Sequence, residues 1–80
     1  MDLEYKKEDF LLLVGTQIEK IRKEKNLSYG KIAKGCNIDS SDISKIAKGQ
    51  VNIMLSSVLE LSKGLNIHPK ELFDFELEKE

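Results

Sequence analysis

Nucleophilic and metal-assisted chemistry needs reactive side chains in groups, and this chain offers them singly. Cys36 is its one cysteine and His68 its one histidine, so neither an internal disulfide nor a zinc site can be assembled from them. No Ser/His/Asp order suggests a catalytic triad, and no glycine-rich phosphate loop is present. The expectation is a protein without enzyme activity, metal or cofactor. Cys36 reads as a small core side chain, and His68, next to Pro69, as a helix cap. What the chain does carry is a run of hydrogen-bonding side chains within residues 27–52, among them Ser40, Ser41, Asp42, Lys45 and Lys48. Hydroxyl and ammonium groups donate to anionic oxygen, and a carboxylate accepts from N–H donors. This is recognition chemistry rather than bond-making chemistry.

Such side chains recognise a partner only when a frame holds them together, and the apolar spacing predicts helices for that frame. Phe10, Leu13, Val14, Gln17, Ile18 and Ile21 recur at intervals of three and four, placing one face of a helix over 7–25, with Gly15 as its weak point. Asn26 breaks the pattern. Ser28 is placed to cap a second helix, 29–35, whose inner face is Ile32, Ala33 and Cys36. Residues 36–38 form a tight turn in which Asn37 is expected to take a left-handed conformation. Asp39 caps a third helix, 40–48, with Ile43, Ile46 and Ala47 inward and Gly49 as its stop. Leu55, Val58, Leu59, Leu61 and Ser62 mark a fourth helix ending near Gly64 or Leu65 and closed by Asn66. His68 and Pro69 open a fifth, short helix carrying Leu72, Phe73 and, at its far end, Leu77. No stretch alternates as a strand would. The expected fold class is all-α: a compact five-helix domain over 1–80, with its core at about 8–75.

Eighty residues leave room for one small domain, whose thin stability margin self-association would widen. With 40% hydrophobic and 34% charged residues, it should fold rather than remain disordered. The longest apolar run covers residues 10–14, far short of a membrane span. The acidic start lacks the features of a secretory signal, and a lone cysteine suits a reducing compartment, so a cytoplasmic location is expected. The net charge of −1 gives no sign of a polyanion partner, but the average conceals a pattern. Residues 16–70 hold ten basic side chains against five acidic, net +5, while residues 1–15 carry −2 and residues 71–80 carry −4.

A capped short helix, a three-residue turn, a second capped helix and a glycine stop, spanning 28–48, make a helix-turn-helix layout. In such a pair the second helix lies across the first, so that its N-terminal residues and outer face project outward. Ala33 matters because a larger side chain there would force the two helices apart.

The residues Ile-Arg-Lys-Glu-Lys-Asn-Leu-Ser (21–28), Ile32-Ala33, Ile38, Ile43-Ser44-Lys45-Ile46, Gly49, Asn52, Leu55, Leu59, Leu61, Leu65-Asn66-Ile67 and Glu71-Leu72-Phe73 together resemble the Cro and lambda-repressor-like helix-turn-helix domains. The resemblance covers residues 21–73. It implies a third helix lying in the DNA major groove, with the protein a two-fold dimer on a palindromic site. By position, Ser40, Ser41 and Lys45 would face base edges, with Asp42 and Lys48 on the same helix. Tyr29, Gln50 and Asn52 would approach phosphates. Four residues depart from the family pattern: Tyr29 stands where glutamine is usual, Asn37 for the turn glycine, Ala47 for a common glutamate and Ile53 for a common proline. The small size is similar to that of the stand-alone controller proteins of restriction-modification systems.

These observations predict a sequence-specific DNA-binding regulator, its partners double-stranded DNA and a second copy of the chain. The expected dimer surface is Leu72, Phe73, Phe75 and Leu77, since apolar side chains at the chain end have little left to pack against. A rival reading from another class is an antitoxin-like module that binds a protein partner, with DNA binding secondary or lost. The acidic tail and the short side chains of helix 40–48 speak for that rival.

Overall fold

The structure, a computed structural model, describes residues 4–77. Four α-helices follow one another: α1 (Lys7–Glu24), α2 (Tyr29–Lys34), α3 (Ser40–Ala47) and α4 (Leu55–Leu65). The expected fifth helix is a single-turn 3-10 helix, Pro69–Phe73, closed by i→i+3 bonds from Glu71 N–H to His68 O (3.0 Å) and Asp74 N–H to Glu71 O (3.5 Å). Five residues leave no length for α-helical bonding to propagate. There is no strand among the described residues.

The boundaries have local causes. Ser28 Oγ accepts from Lys31 N–H (3.1 Å) and starts α2. His68 Nδ1 accepts from Lys70 N–H, and Glu71 accepts from His68 N–H (2.8 Å), a reciprocal capping box. Asp39 occupies the position before α3, but its side chain makes no capping bond. The left-handed asparagines are Asn26 (φ 55°) and Asn66 (φ 56°), which end α1 and α4. Asn37 is not among them, contrary to expectation: its N–H is held by a side chain from α4, which fixes the turn without a left-handed residue.

Packing runs in a ring. α1 touches α3, α3 touches α2, α2 touches α4, and the 3-10 helix joins α4 back to α1. Inside the ring Ile18, Ile32, Ile43, Leu61, Leu65 and Leu72 are completely buried. Leu72 is therefore the piece that closes the core, and it cannot belong to a dimer surface. Phe75 also turns inward, packing against the core and meeting Phe10 edge to face at 6.0 Å. Leu55 and Leu59, which helped to mark α4, face out, 83% and 49% exposed.

Two glycines permit the closest approaches. A Cβ on Gly15 would lie 2.6 Å from the Ala47 carbonyl oxygen, so α1 rests directly on the backbone at the end of α3. A Cβ on Gly64 would lie 2.6 Å from the Ile32 carbonyl oxygen, which brings α4 equally close to α2. The glycine that weakens α1 as a helix is what lets it seat α3.

Candidate nucleic-acid interface

α2 and α3 pack on each other, with Ile32 and Ile43 in the shared core and the half-buried Ala33 against it. Because Ile43, Ile46 and Ala47 fill the inner side of α3, helical geometry sends Ser41 and Lys45, four residues apart, to the opposite side. Ser40, Ser41, Asp42, Lys45 and Lys48 are all exposed, and Gln50 and Asn52 are exposed in the loop that follows. The structure thus brings seven of the eight sequence-predicted residues to α3 and its adjoining loop. Asp42, Lys45 and Asn52 border one open groove of about 410 Å³. Ser40 and Ser41 border another, shared with Gly30 and Ala33 of α2.

Tyr29 is placed differently. Its hydroxyl donates to Glu19 Oε1 at 2.6 Å, and its ring lies under the Arg22 guanidinium, 4.5 Å from the centroid. Arg22 in turn donates to both Glu19 oxygens (2.8 and 2.9 Å) and to the Leu27 carbonyl (2.9 Å). The Arg22 bond, assisted by the Tyr29 hydroxyl and outweighing partial burial, pulls the Glu19 carboxyl down to about 2. Hydrogen bonding to Glu19 raises the Arg22 and Tyr29 pKa values. The cluster ties the end of α1 to the start of α2.

The turn between α2 and α3 is anchored by Glu60 of α4. Its Oε1 accepts from Asn37 N–H (3.0 Å) and its Oε2 pairs with Lys63 (3.0 Å). The Lys63 bond, then the Asn37 bond, lowers the Glu60 pKa. Behind α3, Gly49 adopts φ 71°, and a Cβ there would lie 2.8 Å from Leu12 Cα. α3 is held at its start by α4, along its inner side by the core and at its end by α1. Sequence reasoning missed Glu19, Arg22, Glu60 and the seating role of Gly15. The i,i+3 spacings of Glu19 with Arg22 and of Glu60 with Lys63 were available signals; the bond from Asn37 to Glu60 had none, since the two lie 23 residues apart.

Away from this face, Phe10, Leu55 and Phe73 open onto an apolar cleft of about 330 Å³ floored by Val14, Ile46 and Val58. Leu59 lies one turn along α4 from Leu55, and Leu12 and Met54 are the other large apolar side chains left exposed among the described residues. Cys36 is half-buried beside the core, its thiol 3.9 Å from the Ile38 carbonyl. The described residues contain no cluster suited to a metal ion and no helix long and apolar enough to cross a membrane.

A short anchored helix presenting serine, aspartate and lysine outward, with a second helix packed across its back, defines a helix-turn-helix protein. A family model described as Helix-turn-helix matches residues 18–72, and the chain belongs to that family, the Cro and lambda-repressor-like domains. Its relatives include stand-alone controllers of similar size. Control protein C.BamHI of Bacillus amyloliquefaciens is 38% identical over 65 residues, 80% of each chain. The crystal structure of the restriction-modification controller protein C.AhdI from Aeromonas hydrophila superposes with a TM-score of 0.77 at 32% identity, covering 81% of this chain and 98% of that one. The controller protein C.Esp1396I, solved as a tetramer in complex with its natural 35 base-pair operator, gives 0.74 at 31%, covering 80% and 84%.

Proposed function

We propose that the protein is a sequence-specific DNA-binding transcription regulator, the controller of a restriction-modification system, acting as a homodimer on a palindromic operator. The observation that carries this is the exposed face of α3, whose polar side chains point outward while its backbone is fixed from three sides. A rigid presentation lets hydrogen bonds to base edges discriminate. Lys45 and Ser41 would face bases, and Lys48, Gln50 and Asn52 the flanking phosphates. Tyr29, whose hydroxyl already donates to Glu19, is better suited to holding α2 than to a phosphate. The site of action is the cytoplasm, where the DNA lies.

The second copy would cover the cleft bordered by Phe10, Leu55 and Phe73 together with Leu59. These side chains replace the buried Leu72 of the sequence-based expectation as the apolar part of the interface. Two α3 helices would then stand ~34 Å apart, one turn of duplex. The acidic tail and the short side chains of α3 are what the antitoxin-like reading has in its favour; the relatives are controllers, which favours the regulator. Selection from a random-sequence duplex pool tests the proposal. The expected product is a two-fold symmetric site with half-sites one turn apart; recovery of unselected sequence would contradict it.

A further inference from the structure

Asp42 is an oddity on a surface meant for a polyanion. It stands third in α3, exposed, among the first residues of the helix that would enter the groove. Among the described residues its side chain has no hydrogen bond or ion pair, and the same holds for Lys45 one turn on. Nothing inside the protein therefore offsets the Asp42 charge or turns it away from a ligand. Resting on the regulator reading above, we infer that Asp42 is a specificity-determining residue that works by exclusion. Its carboxylate admits cytosine or adenine at one position of each half-site and rejects guanine and thymine there.

The chemistry leaves few alternatives. An ionised carboxylate is acceptor only. Phosphates repel it, so an approach to DNA is tolerated only where it meets an N–H. In the major groove the base donors are cytosine N4 and adenine N6, whereas guanine presents N7 and O6 and thymine presents O4 and a methyl group. Opposite guanine or thymine the carboxylate would be desolvated against lone pairs or a methyl group with no bond in return. Lys45 is complementary to it. Three residues further along the same helix, its ammonium donates where Asp42 accepts, which suits guanine O6 or N7 on the facing strand. The shortness of the serines leaves Asp42 and Lys45 as the charged pair able to impose a preference.

The test compares the native protein with Asp42→Ala and Asp42→Asn, measuring affinity for the selected site with all four bases placed in turn at each position. The native protein should favour cytosine or adenine over guanine and thymine at one position by about 5- to 100-fold, the usual scale of one mismatch. Asp42→Ala should flatten that position, leave the others unchanged and raise affinity for unselected duplex. Asp42→Asn, which donates as well as accepts, should lift the rejection of guanine and thymine there and shift the preference toward adenine, whose N6/N7 edge an amide pairs with bidentately. Thermal melts confirm that both variants fold, since Asp42 also favours the α3 dipole; should Asp42→Ala unfold, the near-isosteric Asp42→Asn decides. Unchanged preferences at every position, or an equal loss at all of them, would overturn the inference while leaving the regulator reading intact. A native protein that selects no site overturns both.

Discussion

Gly15→Ala sets two opposing effects against each other, and the structure decides the sign. In the middle of an 18-residue helix, alanine is favoured over glycine by about 0.8–1 kcal/mol. At this position the added Cβ would lie 2.6 Å from the Ala47 carbonyl oxygen, 2.8 Å from the Ile46 carbonyl oxygen and 2.9 Å from the Ala47 carbonyl carbon. All three are backbone atoms, so no rotamer change relieves the contact. α1 and α3 must separate, and a gap of even ~0.5–1 Å forfeits a quarter to a half of the dispersion energy across it. Overpacking typically costs about 1–3 kcal/mol; three rigid backbone contacts under 3.0 Å put this site in the upper part of that range, about 2–3 kcal/mol, leaving a net loss of about 1–2 kcal/mol after the propensity gain. For a domain of this size that lowers Tm by about 4–15 °C. Gly30→Ala is the control: its nearest neighbour would be Ser28 Oγ at 3.8 Å, so it should be neutral or raise stability by up to about 1 kcal/mol. Circular-dichroism melts at one fixed protein concentration read both variants, the concentration held constant because association shifts Tm. A Gly15→Ala protein as stable as the native chain would refute the seating of α3 on α1.

Other substitutions probe other links. Glu19, held near 2 against an ordinary 4.5, contributes stability that is full above pH 4.5 and lost as pH falls toward 2. Taken at face value the shift is worth about 3 kcal/mol, but solvent screening of a pair that is about a quarter exposed brings it nearer 1. Glu19→Gln should remove that much of the acid sensitivity in urea titrations between pH 5 and 2; an unaltered profile would show that the pair contributes nothing. Ser28→Ala deletes the α2 cap and should cost about 1 kcal/mol in urea denaturation, with no loss meaning that the α2–α3 packing alone sets the start of α2. If the chain dimerises as proposed, Leu55→Ser with Leu59→Ser should leave a monomer by light scattering, and a dimer mass unchanged from the native protein would place the interface elsewhere.

Much of the fold was legible because its signals are local. The apolar spacing of Val14, Ile18 and Ile21, the caps at Ser28 and His68 and the terminator Asn66 each act within a turn or two of where they stand. The outward face of α3 was legible for the same reason, since Ile43, Ile46 and Ala47 leave one side for Ser41 and Lys45. What escaped depends on contacts between distant segments. Leu72 belongs to the core because the 3-10 helix returns to α1, where Gln17 Nε2 donates to the Glu71 carbonyl (2.8 Å) across 54 residues. Tyr29 binds Glu19 because α1 and α2 diverge from Leu27, and no periodicity encodes that angle. Gly15 looked like a flaw in a helix until the backbone it accommodates was in view.

Binding of DNA by α3 through Lys45 and its neighbours is tested most directly by a salt-resolved affinity titration of the selected duplex. Fluorescence anisotropy between 50 and 200 mM salt should give a linear fall of log affinity with log salt, about a thousandfold if six phosphates are contacted. Lys45→Ala should weaken binding to the selected site by about 5- to 100-fold. Affinity that stays flat with salt, or a Lys45→Ala protein that binds as the native chain does, would contradict the account.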